Sequence, residues 1–140
     1  MKHNLVLRLI TKLLFPVIAL FALYVQFHGD YGPGGGFQAG VILSVAFILY
    51  AMVFGMETIE QVLPLALLRI LASSGVLIYA ATGVTTLLMG GNFLDYDILS
   101  KLPVQGQHIG IMVIELGVGI TVSAVMLIIF YAFADRRNYD

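Results

Sequence analysis

The 140-residue chain contains no cysteine and no tryptophan, and only 11% of its residues carry charge. Without cysteine there is no disulfide and no thiolate metal site. Soluble domains are about 25% charged, so a fraction less than half of that excludes an ordinary water-facing surface. The formal net charge of −1 offers no basic surface for nucleic acid. What is present in excess is apolar: 60% of residues are hydrophobic, and the mean hydropathy is +0.99.

That excess is gathered into four runs, 5–27, 37–56, 62–89 and 109–133. A bilayer crossing takes about 20 apolar residues, so each run is long enough for one spanning helix. The connectors 28–36, 57–61 and 90–108 are short and polar or glycine-rich. The expectation is an all-α integral membrane bundle of four transmembrane helices, forming one domain over 1–140. The first run is longer than a signal-peptide apolar core of about 7–15 residues and no small-x-small cleavage site follows it, so it is expected to remain as a helix.

Orientation follows from lysine and arginine. Four crossings put both termini and the 57–61 turn on one side. That side collects Lys2, Arg8, Lys12, Arg69, Arg136 and Arg137, against Lys101 alone on the other. Both termini are therefore expected in the cytoplasm, with the 28–36 and 90–108 connectors outside. Tyr24, Phe27, Tyr31, Phe93, Tyr96, Tyr131 and Tyr139 near the ends of the runs suit interfacial anchoring.

The stretch HGDYGPGGGFQAG, residues 28–40, is the least helix-like segment, with six glycines in 13 residues. Gly29, Gly32, Gly34, Gly35, Gly36 and Gly40 permit close backbone approach. Pro33 biases the residue before it away from helix. Irregular backbone beside a bilayer must be held by protein or water. Two readings stand: a plain tight connector, or a bare stretch against which a neighbouring subunit packs with Phe37 as anchor. Anion binding is disfavoured because no GK[ST] follows the glycines.

Glu115 is the one acid inside an apolar run, six residues into the fourth. That places it roughly 9 Å below the outer boundary. An acid there faces the bundle, a partner or a water cavity, and is a functional candidate by default. The structural alternative is a neutral carboxyl hydrogen-bonded in a helix interface. His108 lies seven residues earlier on the same helical face. Gly110, Gly117 and Ala124 form a small-residue stripe on a different face, suited to close packing. Thr82 and Ser44 match Glu115 in depth on this reckoning, whereas Lys12 lies roughly 13 Å deeper. Either the acid is protonated, or a cation reaches it from another subunit or from solution. Glu115, His108, Thr82 and Lys12 are the ion-path candidates. Gly75, Tyr79, Thr82 and Thr86 make a weakly polar stripe whose ordinary use is helix packing. Arg8 and Arg69 sit near enough to a boundary to snorkel.

PGGGFQAG, residues 33–40, and the preceding LFPVIALFALYVQFHGDYG resemble the MnhB family, the small B subunits of Mrp-type multisubunit antiporters exchanging Na⁺ or another monovalent cation for H⁺. Size and the four-span plan agree along nearly the whole chain. The family's motif positions fall on Pro33, Gly34, Gly35, Gly36, Phe37 and Gln38. The resemblance implies a multi-pass plasma-membrane subunit assembled with A, C, D, E, F and G type subunits. It implies no catalysis, cofactor or metal in this chain, and does not assign the transported ion to it. The same resemblance implies kinship with membrane arms of redox-linked complexes such as membrane-bound hydrogenases. Lacking cysteine and a haem-ligand pattern, the chain would carry no electrons there.

Overall fold

The computed structural model describes residues 4–29 and 33–135. Lys2, Tyr31, Gly32, Arg136, Arg137 and Tyr139, which enter the orientation and loop readings, lie outside the described residues. Helix α1 spans Leu5–Phe27 and opens on Asn4, whose side-chain oxygen accepts from the Leu7 N–H at 3.3 Å. This satisfies one of the donors that a helix start leaves without an intrahelical partner. Helix α2 spans Gly36–Phe54 and stops at Gly55, whose φ of 102° favours glycine. A short helix α3, Met56–Val62, follows, and Pro64 then opens α4, Leu65–Leu88. Beyond Gly90 (φ 90°) a 3₁₀ turn at Tyr96–Leu99 leads into α5, Pro103–Asp135.

Four of these helices, α1, α2, α4 and α5, are long and apolar enough to cross a membrane. Two boundaries differ from the apolar runs by three residues or more. The third run begins at 62, but Pro64 cannot continue α3, so the chain breaks there and restarts. The fourth helix starts six residues ahead of its apolar run, at Pro103, where a proline suits a first turn. Hydropathy marks what the bilayer covers, whereas hydrogen bonding marks the helix. At 33 residues, α5 is roughly 50 Å long against a hydrocarbon core of about 30 Å, so it tilts or overhangs.

The helices pack in the spatial order α1, α2, α5, α4. Buried residues make up 33% of the apolar window of α2 and 22% of that of α5, but 11% in α1 and α4, so α2 and α5 are the inner pair. Ala51, Ile59, Leu68, Ala124, Leu127 and Tyr131 form a core cluster toward one end. At that end the Tyr131 hydroxyl donates to the Leu63 carbonyl at 3.0 Å, tying α5 to the α3–α4 break. Phe15 packs edge-on against Phe47 and Tyr50, with centroids 5.2 and 5.6 Å away. Arg8 and Lys12 lie over the Phe54 ring, 5.0 and 5.6 Å from its centroid. The first turns of α1, the last of α2 and α5, and the α3–α4 break therefore share one end of the row.

Candidate functional site

The glycine-rich loop leaves α1 after Phe27 and re-enters helix at Gly36. Glu115 of α5 sits directly behind it, half buried. A Cβ built on Gly29 would stand 2.6 Å from one carboxylate oxygen of Glu115, and one built on Gly35 would stand 2.6 Å from the other. A Cβ on Gly36 would overlap the Glu115 backbone carbonyl, so here the α2 and α5 backbones touch. The absent side chains of Gly29 and Gly35 thus leave the space that the carboxylate fills.

The contact continues down both helices. A Cβ on Gly40 would lie 2.7 Å from the Gly119 carbonyl. Gly36 and Gly40 against Glu115 and Gly119 is an i, i+4 pairing on each side, the geometry small residues permit between membrane helices. Gly119 in turn leaves room for the amide of Gln26, which is buried on α1. Below it a cavity of about 100 Å³ lies between α1, α2 and α5, walled by apolar and small residues such as Ala22, Leu43 and Ile120. Gln26 was not among the sequence candidates. Its signal was faint: a single amide near the end of an apolar run, in register with Thr11, Phe15, Ile18 and Ala22 on the inward face of α1.

The other sequence candidates are dispersed. Gly75 of α4 meets Gly117 and Thr121 of α5, and Thr121 donates to the Ala72 carbonyl at 3.2 Å. From that crossing Thr82 is seven residues toward the loop end of the bundle and Glu115 only two, a difference of roughly 7 Å along the helices. Thr82 instead lines a groove with Gly110 and Val113, and its hydroxyl donates to the Ile78 carbonyl at 2.9 Å. Ser44, reckoned level with Glu115, lies two turns deeper than Gly36, and its hydroxyl donates to the Val41 carbonyl. Both depth estimates fail for one reason: they assumed the helix ends on the loop side of the bundle to be level. The described loop residues, 28–29 and 33–35, lie at a step, beyond which α4 runs on for roughly 16 Å.

Lys12 packs on Phe54, 18 residues along α2 from Gly36 and so roughly 27 Å from the Glu115 site. His108 is exposed on α5, two turns before Glu115 toward the start of that helix. The expected small-residue stripe is used: Gly117 meets Gly75, Gly110 receives the Tyr96 ring, and Ala124 enters the core cluster. Burial and the neighbouring Tyr79 push the Tyr96 phenol above its usual value of 10, so this ring is neutral at ordinary pH.

Within the motif, Gly34 has a φ of 127° and packs on Val25. Gly35 and Gly36 face inward, while Pro33, Phe37 and Gln38 are exposed, Phe37 at 60%. The bare face of the loop, expected to receive a neighbouring subunit, is filled at Gly29, Gly35 and Gly36 by this chain's own α5. No group of three or more metal-binding side chains occurs among the described residues.

A family profile described as a domain related to the MnhB subunit of Na⁺/H⁺ antiporter matches residues 6–128. Proteins of Staphylococcus aureus strains Newman, JH1 and COL, provisionally named antiporter subunit mnhB2, are each 37% identical over 142 residues. The alignments cover 99% of this chain and the whole of each relative. With the profile match reaching into all four long helices and covering the glycine cradle, the chain belongs to the MnhB family.

Proposed function

We propose that this chain is an accessory membrane subunit of a multisubunit antiporter exchanging Na⁺, or another monovalent cation, for H⁺. It performs no covalent chemistry and needs no cofactor. It lies in the plasma membrane as a multi-pass protein with both termini cytoplasmic, beside A, C, D, E, F and G type subunits. The observation that carries the reading is the family match along nearly the entire chain. The polar groups fit an accessory part. Thr82 and Ser44 are bonded back to their own helices, Lys12 rests on a ring at the far end, and a largely apolar cavity lies beneath Glu115. Among the described residues, such an interior offers no chain of titratable groups from one face to the other.

Within the complex, Glu115 is the group of this chain placed to meet a moving proton or cation, and the exposed Phe37 and Gln38 are the motif's contacts with a neighbour. The relatives' names favour this over a place in a redox-linked membrane arm. The test is recovery of a tagged copy followed by identification of what accompanies it. Antiporter subunits are expected; hydrogenase or iron–sulfur subunits in their place would refute the reading. Glu115→Gln keeps the shape of the cradle's occupant, so assembly should persist while cation-driven proton movement in everted vesicles falls. Unchanged exchange would remove Glu115 from the ion path.

A further inference from the structure

The end of the row that gathers Arg8, Lys12 and Arg69 also holds a cleft that the exchange reading does not use. It has a volume of about 570 Å³ and lies between α3, α4 and α5. Glu60 of α3 and Arg69 of α4 both line it, on walls otherwise made by residues such as Leu65, Ile128 and Tyr131. Although they share this cleft, Glu60 and Arg69 form no salt bridge with each other among the described residues. Both are exposed.

The level of the cleft matters. Arg69 is the fifth residue of α4, roughly 6 Å from its start, and Tyr131 lies four residues before the end of α5. Helix α3 turns Glu57, Thr58 and Glu60 outward and buries Ile59. These are features of the membrane boundary, where polar headgroups meet hydrocarbon. The occupant must suit apolar walls on one side and two opposite charges on the other. Arg69 alone would suit any phosphate. Glu60 beside it repels an anionic headgroup and attracts an ammonium. We propose that this cleft binds a phospholipid with a zwitterionic phosphoethanolamine headgroup, its phosphate on Arg69 and its ammonium on Glu60.

The proposal is independent of the exchange reading, and the test does not require exchange. The purified full-length chain is titrated with phosphatidylethanolamine or phosphatidylglycerol and bound lipid is counted by native mass spectrometry. The wild type should prefer phosphatidylethanolamine. Arg69→Gln should weaken that binding about tenfold, the loss of one charge-assisted contact, and Arg69→Lys should retain most of it. Glu60→Gln should erase the preference by admitting phosphatidylglycerol. Glu57→Gln, on the same short helix but outside the cleft, should change neither. Unaltered binding in Arg69→Gln and Glu60→Gln, or a wild-type preference for phosphatidylglycerol, would overturn the proposal. So would a cross-linker at Ala132→Cys in the purified complex that captures another subunit in place of lipid.

Discussion

Glu115 and the loop glycines are a fitted pair, and the two kinds of fit are separable by mutation. At Gly35 the obstacle to a methyl group is a side-chain oxygen of Glu115, 2.6 Å from the added carbon. Gly35→Ala should cost about 1–3 kcal/mol of stability, as overpacking does. The double variant Gly35→Ala, Glu115→Ala should recover much of it, because the second change empties the contested space. At Gly36 the obstacle is the Glu115 backbone carbonyl, which no side-chain change removes. Gly36→Ala should destabilise more and resist rescue. Thermal melting of Gly35→Ala and Gly36→Ala, each alone and combined with Glu115→Ala, checks this, and equal rescue at both positions would contradict the geometry. The contrast also locates what the sequence could say. Six glycines in thirteen residues announced that something approaches the backbone closely. That the approaching group is Glu115, 80 residues beyond Gly35, was not legible, since no local pattern links the two. Nor was the step between the loop-side helix ends legible, and without it Thr82 and Ser44 look level with the acid.

Among the elements, the α4–α5 seam depends on smallness and the connector after α4 on one hydroxyl. A Cβ on Gly75 would overlap the Thr121 hydroxyl and press on the Gly117 carbonyl. Gly75→Leu should push the helices apart, with a loss of about 1–3 kcal/mol or more and reduced recovery of folded protein. Gly55→Ala meets nothing within 4 Å. Its cost should be only the strained backbone, since φ 102° with ψ 153° is a region nearly reserved for glycine, about 1–3 kcal/mol, and comparing the two melts separates packing from strain. Thr86, fully buried, donates to the Gly83 carbonyl at 2.9 Å and accepts the Leu94 N–H at 2.9 Å. Thr86→Val leaves that N–H without its acceptor, at about 1 kcal/mol, and hydrogen exchange at Leu94 should quicken while the middle of α4 stays protected. The four crossings were plain from hydropathy, because apolar length is a property of each run alone. The start of α5 at Pro103 and the short α3 escaped it, because both lie where helix and bilayer coverage part company.

At the level of the whole molecule, a row of helices has few interior surfaces. Among the described residues, only α2 and α5 are flanked by long helices on two sides, and most large apolar side chains of α1 and α4 face away from the row. Lipid or other subunits must cover those faces, and neither supplies this chain with a polar path of its own. The acid at the step beside the glycine-rich loop and the cations at the opposite end of the row are separated by roughly 27 Å along α2. Between them, the hydroxyls of Ser44 and Thr121 are engaged by backbone carbonyls. A proton or metal ion crossing such an interior would have to shed water without compensation, and unpaired charge in hydrocarbon is costly. Purified, partner-free protein in sealed proteoliposomes should therefore show no Na⁺-dependent collapse of an imposed pH gradient, read with an internal pH dye. Removal of this subunit from the intact complex should abolish exchange, and restoring it should bring exchange back. Robust flux from the chain alone would mean that a row with this interior conducts by itself, and the accessory role would fall with it.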